Sequence, residues 1–309
     1  MKNILKFMLF ALMAVSFAAC SESEDYNADT AVSPYRPVPG RRLVAQVKTT
    51  NTIEGRDYSW VHDFEYDAQG RIRQIDSKMV HHRAQQFENK TRYYKCNITS
   101  QANYYYYDEK LHVEYSLSRE YPDYKDWNTA ENGKDKGVFN SNGTLAEFSS
   151  IDLEYNMTQL QRAFNDANNI IAPTRDASGN VTGYVKYMAL DAEEDTVIID
   201  RKDEVRYSAT KNKTNFDFSA YFGYWGVEQA IYANRTEYYA SYQLAAFGML
   251  GATSAYLPLG IKARDGKGNV IMEDGATKYL YGKWEFDGQG CPTSYTDGNG
   301  RRTEIKYVD

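Results

Sequence analysis

The chain has 309 residues, with 36 Lys and Arg against 42 Asp and Glu, a formal charge of -6 and a mean hydropathy of -0.67. An acidic balance lacks the positive footprint that nucleic acid requires. Tyrosine is over-used, at 28 residues against 7 prolines and 4 histidines; it suits sheet, where a broad ring buries its body and keeps its hydroxyl near water.

At the N-terminus, Lys2 and Lys6 precede an apolar run from Phe7 to Phe17 that ends in Phe17-Ala18-Ala19-Cys20. A basic start, a short apolar core and small residues at a boundary are the layout of an export signal. The run is shorter than the ~20 residues of a membrane-spanning helix. The small residues before Cys20 resemble a bacterial lipoprotein signal, which implies a leader over residues 1–19 and lipidation of Cys20. Several acyl chains, each contributing ~0.8 kcal/mol per buried methylene, would then hold the protein at a membrane. Removing a leader with Lys2, Lys6 and no acid takes the charge from -6 to -8.

Ser21-Glu22-Ser23-Glu24-Asp25 follows, resembling the surface-export signals of lipoproteins from Bacteroides-type bacteria; it reads equally as a solvated tail. Asn27, Ser33, Pro34, Pro37, Pro39 and Gly40 show no hydrophobic periodicity, so residues 20–40 are expected to form a flexible tether. Residues 41–309 then hold enough chain for one antiparallel β domain.

Within that domain the alternation is that of half-buried strands. Tyr58, Trp60, His62, Phe64 and Tyr66 share one face and Ser59, Asp63 and Glu65 the other. Val113, Tyr115 and Leu117 oppose Glu114, Ser116 and Ser118, and Thr303, Ile305 and Tyr307 oppose Glu304 and Lys306. Turn signals punctuate these runs at Asp67-Ala68-Gln69-Gly70, Asn140-Ser141-Asn142-Gly143, Asp176-Ala177-Ser178-Gly179, Asp265-Gly266-Lys267-Gly268 and Asp287-Gly288-Gln289-Gly290. The Asp or Asn side chain bonds the following backbone and a glycine supplies positive φ, so each is expected to be a hairpin.

Phe64-Glu65-Tyr66-Asp67-Ala68-Gln69-Gly70-Arg71-Ile72 and Trp284-Glu285-Phe286-Asp287-Gly288-Gln289-Gly290 resemble single, degenerate YD repeats, the hairpin units of large bacterial shell proteins. Their irregular spacing does not carry over the array. With the leader, these two hairpins and Ser254-Ala255-Tyr256-Leu257-Pro258, the chain from Arg41 to Val308 resembles an uncharacterised family of Bacteroides-type lipoproteins, a domain of unknown function with a porin-like β-barrel fold. That resemblance implies a mainly β fold, an antiparallel meander forming a barrel or strongly curved sheet, and no established activity.

Two segments interrupt the strands. Thr158 to Asn168 has capping-box spacing at Thr158 and Gln161, with Leu160 and Phe164 one turn apart. Val227, Ala230, Ile231, Tyr238, Tyr242, Ala245 and Met249 recur near helical spacing, so a helical insertion is expected near residues 226–250, or else a pair of Tyr-rich strands. Phe216, Phe218, Tyr221, Tyr224 and Trp225 lead into it. Lys186, on one face with Tyr184, Met188 and Leu190, and Asp203, with Val205 and Tyr207, interrupt any lipid-facing belt, so the sheet is expected to face water.

Chemistry-bearing residues are few. His81-His82 read as an exposed pair, since neighbours on a strand point to opposite faces and no Cys, His, Asp or Glu set completes a metal site. No metal or cofactor is expected. Cys96 and Cys291 could close a disulfide in an exported protein, or each could be an ordinary buried residue. Asp195-Thr196-Val197 resembles the O-glycosylation acceptor of exported Bacteroides-type proteins, with Thr196 as the glycan site. Glu193, Glu194, Asp195, Asp200, Asp203 and Glu204 offer carboxylate pairs for a glycosidase. The favoured expectation is a non-enzymatic envelope lipoprotein, anchored in the outer membrane, that binds a glycan or lipophilic ligand through exposed tyrosines such as those of Tyr104-Tyr105-Tyr106-Tyr107. The alternatives are a glycan-acting hydrolase and a structural partner of an envelope complex.

Overall fold

The computed structural model describes residues 33–87, 90–148, 151–152, 170–176, 181–191, 196–223, 243–249, 251–265, 267, 269, 272–273, 276–277, 282–298 and 300–309. In chain order the strands are β1 (Val44–Ile53), β2 (Arg56–Tyr66), β3 (Ile72–Phe87), β4 (Lys90–Tyr107), β5 (Lys110–Glu120), β6 (Thr129–Phe139), β7 (Leu145–Phe148), β8 (Ile151–Asp152), β9 (Ile170–Arg175), β10 (Val181–Asp191), β11 (Thr196–Lys211), β12 (Tyr256–Asp265), β13 (Met272–Glu273), β14 (Ala276–Thr277), β15 (Lys283–Phe286), β16 (Pro292–Thr296) and β17 (Arg302–Tyr307). A short helix α1 (Phe218–Gly223) follows β11, and residues 243–246 are helical.

The strands make an 11-stranded sheet in the order β15-β16-β17-β1-β2-β3-β4-β5-β6-β7-β8 and a 4-stranded sheet, β12-β11-β10-β9. The protein is thus mainly β, as the alternation predicts, and the large sheet is antiparallel throughout. The last strand, β17, pairs with the first, β1, and the two lie third and fourth in the order of the large sheet. The two sheets meet where β12 lies against β15: Gly282 N donates to Leu259 O at 3.1 Å and Trp284 Nε1 to Pro258 O at 2.8 Å. A Cβ on Gly282 would lie 2.4 Å from both the Tyr295 ring and Thr296 O, so this junction needs glycine. Among the described residues the sheet does not close.

Turn chemistry is repeated. At Asp67, Oδ1 accepts from the N–H groups of Gln69 and Arg71, Gly70 N donates to Asp67 O, and Gly70 has φ 75. A type I turn followed by a left-handed glycine is the three-residue hairpin with its bulge, and the register shifts at Glu65/Tyr66 accordingly. Asp287 to Cys291 and Asn140 to Thr144 repeat the pattern, as expected. Asp265 N donates to Asn269 O in the same way. For the turn at Asp176, antiparallel pairing of Val181 with Arg175 brackets residues outside the description. Asp297 to Arg301 is a further copy, visible in the sequence as Asp297-Gly298-Asn299-Gly300.

The concave face is filled. Residues 212–223, 243–249 and 251–257 run across it: Tyr221 meets Thr49 on β1 (3.1 Å), Gln243 accepts from Tyr104 on β4 (2.7 Å), and Met249 O accepts from Leu145 on β7 (2.7 Å). Contacts to strands so far apart in sheet order require strong curvature. Phe64, Phe216 and Phe247 pack with ring centroids 5.1 to 5.6 Å apart, each such pair contributing ~0.5–1.5 kcal/mol beyond area burial. Asp217, fully buried, caps α1 by accepting from Ser219 N and Ala220 N, and also takes Ser254 N at 2.8 Å.

The convex face is polar. Gln46 donates to Asp63, Gln101 to Asp76, and ion pairs join Lys48 to Glu304, Lys134 to Glu114 and Arg302 to Glu285. A strand facing lipid would carry an apolar row there, so this part of the sheet faces water.

One expectation about the fold needs correction. Residues expected in the tether already belong to the fold before Gly40: Tyr35 is buried, its ring packs against Tyr106 (5.9 Å) and Phe139 (5.8 Å), and its hydroxyl donates to Phe247 O at 2.7 Å. From Tyr184 to Leu190 the β10–β11 register shifts at Lys186/Tyr187 and at Tyr187/Ala189. Of the helical insertion near 226–250, residues 243–246 are helical and 224–242 lie outside the described residues, as do Thr158 to Asn168.

Candidate ligand-binding surface

β3 and β4 are the longest strands of the large sheet, and their outer halves outrun their other neighbours. Pairing of β3 with β2 ends at Ser59 with Val80, and of β4 with β5 at Asn97 with Glu120. Beyond these points β3 and β4 pair only with each other, as His81 with Cys96, Arg83 with Tyr94 and Gln85 with Arg92. About seven residues per arm at ~3.3 Å each make a hairpin of roughly 23 Å.

On the core side of this hairpin the link from β5 to β6 folds back. Tyr121, Tyr124 and Trp127 recur every third residue, and a 3-10 turn at Lys125–Trp127 brings such residues to one side. Trp127 N donates to Tyr124 O, and Tyr121 N donates to Asn128 Oδ1 at 2.8 Å, fixing both ends of the link. Tyr94 then meets Tyr124 edge-on at 4.8 Å and Trp127 at 5.1 Å, while Tyr124 and Trp127 stack at 4.8 Å and 20°. Tyr94 and Tyr121 are buried; Tyr124 is 41% exposed. The result is a rigid aromatic platform, open to solvent on its Tyr124 side. On the other side of the hairpin Tyr93 is 40% exposed and lies under the Arg56 guanidinium at 3.5 Å.

Two residues along the same face from Tyr94, the Cys96 thiol is buried. Burial pushes the thiol's pKa up, which keeps it protonated and a poor nucleophile. His81 and His82 are half-buried rather than exposed, edge-on to Tyr58 at 5.6 and 5.1 Å. Burial pushes His81 down to about 4, so its ring is neutral near pH 7.

The other residues singled out in the sequence do not converge. Cys96 and Cys291 are both buried free thiols. They lie on β4 and beside β16, five strand spacings of ~4.8 Å apart, roughly 24 Å along the sheet, where a disulfide needs Cα atoms within about 7 Å. Glu204 on β11 is held by Arg206 (2.6 Å) and Arg264 (3.2 Å). Asp200 and Asp203 lie on the same strand, and Glu193, Glu194 and Asp195 fall outside the described residues. Thr196 opens β11, and Cys20 lies outside the described residues. In the tyrosine run, Tyr104 and Tyr106 are buried while Tyr105 and Tyr107 are half-buried, with Tyr105 facing His112 across the ladder. The run serves the sheet as cross-strand pairs. Among the described residues no group of His, Cys, Asp and Glu could hold a metal ion.

A cavity of about 20 Å³, room for a water, lies between Phe222, Pro258 and Tyr295. A filled core, a polar convex face and an aromatic platform open on one side define a mainly β protein with a strongly curved sheet. No protein-family profile matches the chain, and no curated protein matches it in sequence. Among solved structures it is similar to a porin-like protein from Bacteroides uniformis ATCC 8492, with a TM-score of 0.42 and 11% identity over 89% of this chain and 100% of that one.

Proposed function

We propose that this chain is an envelope lipoprotein, anchored through Cys20, whose β domain binds a glycan without turning it over. The observation that carries the reading is the Tyr124–Trp127 stack, braced by Tyr94 and Tyr121 and open on one side. A flat, preorganised ring pair with hydroxyl and indole N–H groups at its rim suits the apolar face of a sugar. A lipid chain would need an enclosed apolar site; side chains such as Phe216, Phe218 and Phe247 occupy the concave face instead. Among the singled-out carboxylates with a described side chain, Glu204 is committed to two arginines, Arg206 and Arg264.

The test is binding of the mature protein to a panel of immobilised glycans, with Tyr124→Ala and Trp127→Ala alongside. Binding that both variants abolish while keeping the far-UV spectrum supports the platform, and binding indifferent to both refutes it. Metabolic labelling with a radioactive fatty acid tests the anchor: label in the wild type and none in Cys20→Ala is the expected result.

A further inference from the structure

The β3–β4 hairpin carries a charge that the rest of the chain does not share. From His81 to Cys96 the sequence holds Arg83, Lys90, Arg92 and Lys95 against one carboxylate, Glu88, in a protein whose acids outnumber its bases 42 to 36. On the adjoining turn Asp123 and Asp126 outweigh Lys125, so the positive excess belongs to the two strands. The register from Phe87/Lys90 to Asn97 is unbroken, so Lys90, Arg92 and Tyr94 share one face, with Arg83 directly across from Tyr94. Cβ atoms of such facing residues lie ~4.5–5.5 Å apart, and alternate residues on a strand recur at roughly 7 Å. Three exposed cations therefore lead outward along the face whose inner end is the aromatic platform.

Charges on a projecting hairpin also deter edge-to-edge pairing of sheets. Glutamates would deter it equally well and would match the chain's acidic composition. The bias toward cations beside stacked rings points to an anionic partner that also presents a ring.

We propose that this surface selects acidic glycans, with Tyr124 and Trp127 stacking one sugar ring while Arg83, Arg92 and Lys90 pair with carboxylates or sulfates further along the polymer. The proposal rests on the glycan-binding reading and adds the chemical class of the ligand.

The experiment measures binding of the mature protein to polygalacturonate, to dextran sulfate and to neutral dextran at increasing NaCl concentration. At least one of the two acidic polymers should bind about tenfold or more tightly than neutral dextran, with affinity falling as salt rises. Preference for polygalacturonate would identify carboxylate as the group recognised, and preference for dextran sulfate would identify sulfate. Lys90→Gln/Arg92→Gln, further out than the platform, should lower acidic binding about tenfold with the urea midpoint little changed. The control Arg73→Gln/Lys78→Gln, on the convex face of β3, should not. Equal binding of neutral and acidic polymers, or equal loss in the control, overturns the charge selection and leaves glycan binding standing. Binding to none of a broad glycan panel, neutral or acidic, overturns both.

Discussion

His62 links stability to pH in a way the structure makes quantitative. Its ring is buried on the core face of β2, Nδ1 lies 2.8 Å from Ser77 Oγ, and Tyr221 meets it edge-on at 5.9 Å. Desolvation lowers its pKa from 6.5 to about 4. The unfolded chain therefore takes up this proton as pH falls through about 6.5, while the folded chain resists until about 4, so stability is lost on acidification across that window. Between pH 7 and pH 5 the loss is about 2 kcal/mol, approaching about 3 kcal/mol near pH 4. Urea unfolding of the mature protein at pH 7, 6 and 5, followed by tryptophan fluorescence, should show that slope. His62→Leu should lower stability at pH 7 by about 1–3 kcal/mol, because Ser77 loses its partner, and should flatten the pH dependence by about 2 kcal/mol. His81, shifted the same way but less buried, contributes a smaller share in the same window. An unchanged slope in His62→Leu would refute the linkage.

Other substitutions probe the framework. Asp67→Ala removes the acceptor for two backbone N–H groups and strands the fully buried Arg71 guanidinium, which lies 2.6 Å from Asp67 Oδ2 and 4.5 Å over the Tyr106 ring; a loss of about 3–5 kcal/mol is expected in urea unfolding, and a loss below about 1 kcal/mol would count against it. Tyr35→Ala should cost about 3–5 kcal/mol, whereas a tether reaching Gly40 would leave the midpoint unmoved. Alkylation in denaturant without reductant should label both Cys96 and Cys291, and protection of the pair would contradict their separation across the sheet.

Strand identity and turn position were legible because both are written locally. A two-residue alternation names its own faces, and Tyr58 to Phe64 bury the face it names. Asp67-Ala68-Gln69-Gly70 closes a hairpin through bonds no more than four residues apart. The platform had a local signal as well, the three-residue recurrence of Tyr121, Tyr124 and Trp127, yet it acquires meaning only when Tyr94, from another strand, comes underneath. Tyrosine number misled in this respect, since the conspicuous Tyr104 to Tyr107 run is absorbed by the sheet.

The amino-acid sequence by itself determined the class of fold, the hairpin turns and the acidic balance, since each depends on residue type and near-neighbour spacing. Tertiary structure alone decided that Tyr35 is core rather than tether, that Cys96 and Cys291 stand apart, that residues 212–223, 243–249 and 251–257 fill the curved sheet, and that β3 and β4 outrun their neighbours. These outcomes follow from sheet order, register and curvature, which are set by contacts between residues tens to hundreds of positions apart and so leave no mark on local spacing.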